Sequence, residues 1–266
     1  MNLSDFTQVK NNNFNLIRMV AALSVLLAHS FALTGESTNK FAQVAGVSSG
    51  IAVDIFFITS GFLVTASLIS RQSVSDFFWA RFLRIYPALW VMLILTVFGL
   101  GVFFTSLSVH AYLSNSSTYN YFYKCGILIS GITFNLPGVF KFNPFKYAVN
   151  GSLWSLPYEV KCYMSLGVIW LGLRWMKSDT ERLFKLAILT SCVVLGIYVV
   201  VCKLNFPDEL PRERWFFMFF YCAIFYLFRE YIRLSRLTFW LFLIILTSTI
   251  LFVSVQPTHI DYVSES

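Results

Sequence analysis

The chain has 266 residues, of which 57% are hydrophobic, 18% aromatic and only 12% charged. A soluble domain carries about 25% charged residues, so this composition excludes a water-soluble globule and favours a membrane protein. The formal net charge of +7 comes from short basic clusters between apolar runs, which is the distribution that membrane topology produces. We therefore expect no nucleic-acid partner.

Apolar runs recur along the chain, and several approach the roughly 20 residues that a membrane-spanning helix needs. We predict an all-α, polytopic transmembrane helix bundle with about seven spans. A further apolar piece at 125–140, interrupted by Gly126, Gly131 and Pro137, is either a re-entrant or interfacial segment or a kinked eighth span. The predicted spans cover residues 16–34, 51–70, 87–106, 155–173, 185–202, 215–230 and 237–255.

Basic residues indicate the orientation of these spans. If the N-terminus is cytoplasmic, the inside loops contain the dense basic clusters at 71–84, 174–185 and 229–236. The outside segments carry fewer Lys and Arg over a greater length, as the positive-inside rule expects. The sequence thus predicts a cytoplasmic N-terminus, and a crossing at 125–140 would move the later clusters outside.

Four ionisable side chains stand out within the predicted spans: Arg18, His29, Asp54 and Glu159. Such groups are costly at membrane depth and usually face the bundle interior or a water-filled cavity. Arg18 and His29 are eleven residues apart, about 16 Å along one helix face. Because His29, Asp54 and Glu159 all lie towards the outer side, we expect them to share a pocket. The alternatives are a snorkelling anchor for Arg18 and a packing role for His29.

Residues 70–87 join the second and third predicted spans and show an amphipathic pattern. We expect an interfacial helix with its aromatic side chains buried and its arginines turned to water or lipid headgroups. Arg81 and Arg84 are three residues apart and hence share one face. Arginine forks suit phosphate, so a nucleotide-bearing ligand is one reading, and a positive-inside anchor is the other.

Four stretches follow one another in a specific order: Arg18 to Leu23 running on to His29, Val53 to Leu63, Arg81 to Pro87, and Ser152 to Glu159. Together they resemble the acyltransferase 3 family of bacterial membrane acyltransferases. The resemblance implies an enzyme of the bacterial inner membrane that moves an acyl group, commonly acetyl, from acyl-CoA to a surface carbohydrate.

The family motifs fall on particular positions of this sequence. The arginine–histidine motif matches Arg18 and His29, the aspartate before two phenylalanines matches Asp54, and the glutamate after a tryptophan matches Glu159. The arginine pair matches Arg81 and Arg84. Following this resemblance, we expect Arg18, Arg81 and Arg84 to bind the acyl-CoA phosphates.

His29, Asp54 and Glu159 are the expected catalytic residues. His29 would take a proton from the acceptor hydroxyl, with Asp54 or Glu159 fixing the tautomer of the imidazole. A variant has His29 first accepting the acyl group covalently. We expect acyl-CoA, with acetyl-CoA as its simplest form, as the co-substrate, no metal, and membrane lipid and a carbohydrate or glycolipid acceptor as partners.

The motifs cover residues 13–165, within an expected single membrane-embedded acyltransferase domain at 1–255 and a short tail at 256–266. The chain has fewer predicted spans than is usual in the family. Two other functions therefore stay open: a truncated, inactive member that acts only as a membrane scaffold, and a small-solute or proton-coupled transporter. The oligomeric state does not follow from the sequence.

Overall fold

The computed structural model describes residues 2–4, 13–35, 40–71, 73–143, 146, 148–176, 179–206 and 211–233, with the single positions 235, 237, 240 and 244. Within these residues the secondary structure is helical, and β-structure is limited to isolated bridges. This confirms the predicted all-α bundle. The helices are α1 (Phe14–Thr34), α2 (Lys40–Arg71), α3 (Val74–Ile94), α4 (Gly101–Phe104), α5 (Val109–Leu113), α6 (Ser116–Ile127), α7 (Leu156–Trp175), α8 (Thr180–Asn205) and α9 (Arg214–Leu227).

The chain divides into two compact units, residues 1–55 with 228–266, and residues 56–227. In the first unit, the Leu3 N–H donates to the Ile232 carbonyl at 2.9 Å, which ties the beginning of the chain to the segment after α9. The predicted last span at 237–255 has only single described positions, and the tail at 256–266 lies outside the described residues. The single domain at 1–255 stays a prediction.

Four helical stretches of the described chain are long and apolar enough to cross a membrane: 14–31, 40–71, 74–104 and 180–205. The shorter helices α7 and α9 coincide with the predicted fourth and sixth spans. The chain is therefore a membrane protein with several helical spans. Its cytoplasmic N-terminus stays a prediction.

The third long helix corrects the predicted boundary at Pro87. Ser73 caps α3 by accepting a bond from the Asp76 N–H at 3.3 Å, and the helix then continues through Pro87. A π-helical turn at Leu95–Leu100 joins α3 to α4. Proline removes only one helical hydrogen bond, and the buried residues Ile85 and Leu89 on either side of it hold the helix together. Residues 74–104 extend about 46 Å, well beyond the roughly 30 Å hydrocarbon core.

The direction of α7 shows whether the chain crosses the unit between α3 and α7. Gly167 of α7 lies against the ring of Phe78 on α3, and Tyr163 lies beside Arg81. Residue numbers therefore rise along α3 as they fall along α7, and the two helices are antiparallel. The connection between them leaves and returns at the same end of the unit.

The part of the connection that follows α6, residues 128–140, contains no helix. Helix α6 ends at Ile127, where Leu128 adopts the left-handed conformation with φ 65°. An irregular loop follows, fastened to the end of α4 by a hydrogen bond from the Thr105 hydroxyl to the Pro137 carbonyl at 2.8 Å. The alternative of a kinked eighth span at 125–140 is thus excluded.

Helices α2, α7 and α9 run in one direction and pack closely in the second unit. The ring of Phe57 stacks on Trp215 at 5.8 Å, and Tyr158 meets Trp215 at 5.1 Å. One turn further along, Gly61 faces the Phe219 backbone so closely that a Cβ there would collide with its carbonyl. The absence of a side chain at Gly61 is what allows α2 and α9 to approach.

Candidate functional site

Arg81 is a half-buried arginine on α3 that faces both α2 and α7. One terminal nitrogen donates to the Ser67 hydroxyl at 2.9 Å. Its guanidinium carbon lies 5.7 Å from the ring centre of Phe77 and 5.6 Å from that of Tyr163, within the range of cation–π attraction. Its Nε is buried and has no hydrogen-bond partner among the described residues. One N–H of the guanidinium is therefore unsatisfied among the described residues.

Two more arginines complete what we term the arginine cluster (Arg71, Arg81 and Arg84). The Arg71 Nε donates to Ser67 at 3.3 Å, so one hydroxyl accepts bonds from arginines of both α2 and α3. Arg84 is exposed one turn beyond Arg81, and the charges of Arg71 and Arg84 both repel that of Arg81.

No acid neutralises the cluster within the described residues. None of its three members forms an ion pair there, whereas Lys185 pairs with Glu181 at 2.9 Å. Like charges held together without counter-charge repel one another, and a bound anion removes that repulsion. The cluster is suited to a phosphate-bearing ligand, which arginine forks bind with directional hydrogen bonds.

Behind the cluster lies a tyrosine–glutamate pair on α7. Tyr163 is only 2% exposed, and its hydroxyl donates a hydrogen bond to Glu159 Oε1. The two residues are four apart and hence on one helix face. Tyr163 therefore contacts Glu159 through its hydroxyl, and Arg81 both lies against its ring and interacts with its hydroxyl oxygen.

The structure brings together three of the six predicted site residues: Arg81, Arg84 and Glu159. The sequence interpretation put the arginines at the cytoplasmic interface and Glu159 towards the outer side, with no link between them. Instead, Tyr163 connects Arg81 with Glu159. The reason is the antiparallel packing of α3 on α7, which sets Arg81 beside Tyr163, one turn beyond Glu159.

Sequence reasoning missed Ser67, Arg71 and Tyr163 as site residues. Arg71 was noted only for topology, although the short α2–α3 turn returns α3 directly beside it. Tyr163 follows Glu159 by four residues, which is a usable signal because those positions share a helix face. Within an apolar helix, however, a tyrosine more commonly signals packing.

The other predicted residues belong to the first unit. Arg18 and His29 lie on α1 and Asp54 lies on α2, all of them half-buried. Residues 14–34 form one uninterrupted helix, so Arg18 and His29 do lie near one face. The common pocket of His29 and Asp54 with Glu159 stays a prediction.

A second polar group, the closed cluster (Thr96, Tyr112, Tyr121 and Asn150), surrounds the other end of the long helix. The Asn150 side-chain nitrogen lies 3.1 Å from the Tyr121 hydroxyl and 3.2 Å from the Thr96 hydroxyl. The Tyr112 hydroxyl donates to the Val97 carbonyl at 2.9 Å. Burial raises the pKa of the Tyr112 phenol to about 12, so this hydroxyl remains a donor at neutral pH.

Comparison with known proteins agrees with the arrangement of motifs. A family described as an acyltransferase domain matches residues 11–261. An O-acetyl transferase of Shigella phage Sf6 is 37% identical over 190 residues, which cover 70% of this chain and 53% of that protein. Nodulation protein 10 of Rhizobium leguminosarum bv. viciae is 30% identical over 210 residues, which cover 74% of this chain and 53% of that protein.

The chain thus spans about half the length of the curated relatives that it matches. No solved structure matches it. The family match nevertheless includes every one of the sequence motifs, from Arg18 to Glu159, and nearly the whole chain. The chain belongs to the acyltransferase 3 family.

Proposed function

We propose that the protein is an O-acyltransferase that moves an acetyl group from cytoplasmic acetyl-CoA to a hydroxyl of a cell-surface carbohydrate. It would act as a multi-pass protein of the bacterial inner membrane with its N-terminus in the cytoplasm. The observation that carries this proposal is the arginine cluster, in which three cations lack an acidic partner within the described residues.

The positive charge of the arginine cluster supports acyl-CoA as the donor. Acyl-CoA carries several phosphates at one end and a thin pantetheine arm at the other. The exposed Arg71 and Arg84 would meet phosphate oxygens in solvent. The half-buried Arg81 would add a directional bond deeper in the protein, where a charge-assisted hydrogen bond is stronger.

The acyl group and the acceptor atom are argued from similarity. A relative that is 37% identical carries the name O-acetyl transferase, which supports acetyl as the acyl group and a hydroxyl oxygen as the acceptor. The carbohydrate class follows from the family resemblance of the four motifs. Membrane lipid is the expected surrounding of the apolar helices.

In the proposed reaction, His29 removes the proton of the acceptor hydroxyl, and the oxygen attacks the thioester carbonyl. The C–S bond of the tetrahedral intermediate then breaks, and the CoA thiolate leaves and takes up the proton from the imidazolium. Asp54 or Glu159 would orient the imidazole and stabilise its charged form. General-base help of this kind contributes about 10²–10⁴-fold in rate. In the covalent variant, the His29 imidazole attacks the thioester carbonyl and the CoA thiolate leaves; the acceptor hydroxyl then attacks the acetyl-imidazole, the C–N bond breaks to restore His29, and the hydroxyl proton passes to the thiolate.

The test is transfer of label from [¹⁴C]acetyl-CoA to crude surface glycan by the purified full chain in lipid nanodiscs. Wild-type protein should label the glycan, and His29→Ala should lose at least about 10²-fold in rate because the base is gone. His110→Ala is the matched control, since His110 is exposed on the short helix α5, and it should retain wild-type transfer.

Other outcomes separate the rival functions. Binding of acetyl-CoA without transfer to any glycan would support an inactive scaffold. If vesicles that contain the protein let solute or protons cross their membrane without acetyl-CoA, a transporter would be supported. Full transfer activity in His29→Ala would refute the role of His29.

A further inference from the structure

Arg81 and Glu159 are opposite charges that share a neighbour but do not pair. Arg81 lies against the ring of Tyr163, while the hydroxyl of the same tyrosine occupies Glu159 Oε1. No ion pair joins the two within the part of the chain that the structure describes. This is unexpected, because opposite charges in a poorly hydrated interior attract strongly.

We infer that Tyr163 is a positioning residue that separates Arg81 from Glu159, so that the arginine stays open to the donor and the glutamate stays open to the reaction. The inference rests on the proposed function and deepens it by assigning a role to a side chain outside the family motifs quoted above.

The first argument is the fit of the tyrosine ring. Tyr163 is 2% exposed, and its ring lies 6.3 Å from that of Phe219. The guanidinium carbon of Arg81 lies 5.7 Å from the ring centre of Phe77. Arg81 is therefore close to two aromatic rings, which attract a cation.

The second argument is the hydrogen bond to Glu159. A carboxylate that accepts a bond from a buried hydroxyl has part of its lost hydration replaced. Such a carboxylate gains less free energy from pairing with a cation. Tyr163 thus contacts both charged groups: its hydroxyl holds Glu159 in place, and its side chain lies against Arg81.

Two substitutions separate these effects. Tyr163→Leu removes both ring and hydroxyl, so that Arg81 can turn to Glu159, and acetyl-CoA binding should weaken about tenfold, the scale of one charge-assisted hydrogen bond. Tyr163→Phe keeps the ring, so the KM for acetyl-CoA should stay within about twofold, while kcat should fall about tenfold because Glu159 loses its bond. The exposed Tyr123 of α6 provides the matched control, Tyr123→Phe, with kcat and KM unchanged.

The decisive experiment is rescue of acetyl-CoA binding, measured by titration calorimetry on the full chain in nanodiscs. Adding Glu159→Gln to Tyr163→Leu removes the acid that captures Arg81, so binding should recover to near the wild-type Kd although transfer stays impaired. If the double variant binds as weakly as Tyr163→Leu, the separating role is overturned.

The kcat and KM of Tyr163→Phe test the inference even if the variants with Tyr163→Leu do not fold. Unchanged kcat in Tyr163→Phe, or a raised KM with unchanged kcat, would also overturn the inference. Failure of the wild-type protein to bind acetyl-CoA would instead refute the proposed function, on which the inference depends.

Discussion

Near its beginning, α3 carries Arg81 with a buried N–H that has no partner among the described residues. Beyond its end, the Asn150 side-chain nitrogen donates to the hydroxyls of Thr96 and Tyr121, and the Tyr112 hydroxyl donates to the Val97 carbonyl. Both regions belong to the same compact unit. At one end of the long helix a buried N–H has no hydrogen-bond partner among the described residues, and at the other end the buried polar side chains are hydrogen-bonded. Buried polar groups are normally hydrogen-bonded.

The contrast separates two uses of polar residues in an apolar protein. The hydrogen bonds of the closed cluster fix the connection from α4 to α7. The arginine cluster keeps repelling charges and an unused donor, which stabilise the fold poorly but suit an anion. We therefore expect changes at the arginine cluster to impair donor binding and changes at the closed cluster to impair stability.

The largest expected effect is that of Arg81→Ala on donor binding. Loss of one charge-assisted hydrogen bond of about 1.5–3 kcal/mol should weaken acetyl-CoA binding by about 10–100-fold. The melting temperature in detergent should not fall, because the substitution relieves repulsion from Arg71 and Arg84. Arg182→Ala, at an exposed position of α8, should bind normally. A large drop in the melting temperature of Arg81→Ala would contradict the proposal that the arginine cluster serves binding rather than stability.

Next in size is Gly101→Ala, at the closed cluster. A Cβ at this position would collide with the Tyr112 hydroxyl, and forced overpacking typically costs about 1–3 kcal/mol. We expect a lower melting temperature with unchanged affinity for acetyl-CoA. Gly99→Ala tests a nearby position in the preceding π-helical turn, where a Cβ meets nothing within 4 Å, and it should be neutral. Equal stabilities of the two variants would contradict the packing argument.

Asn150→Ala should be comparable or slightly smaller in effect. It removes the shared partner of Tyr121 and Thr96, and a buried group left unsatisfied costs about 1–3 kcal/mol. Thermal unfolding should shift downwards, whereas Asn143→Ala, at an exposed loop position, should not shift. Lost acetyl-CoA binding at unchanged stability would mean that the closed cluster also serves the ligand.

The smallest effect is expected for Arg84→Ala. Because Arg84 is exposed, its interaction with a phosphate is screened, and a contribution of about 0.2–1 kcal/mol corresponds to at most about a fivefold change in Kd. The difference from wild type should vanish at high salt. An effect as large as that of Arg81→Ala would show that burial does not distinguish the two arginines.

Much of this architecture could be predicted from the sequence because apolar run length and basic clusters report the spans directly. The boundary at Pro87 could not, since the packing of Ile85 and Leu89 overrides the local preference of proline. The arginine pair and Glu159 carry family motifs and were identified individually. Their connection depends on the antiparallel register of α3 and α7, which brings Arg81 beside Tyr163 and has no local sequence signal.

The central claim is that the arginine cluster holds the phosphates of the donor, and calorimetric titration of the wild-type chain tests it most directly. Acetyl-CoA should bind at least about tenfold more tightly than S-acetylpantetheine, which has the same thioester arm but no phosphate, the equivalent of about 1.4 kcal/mol. Equal affinities for the two compounds would contradict the account.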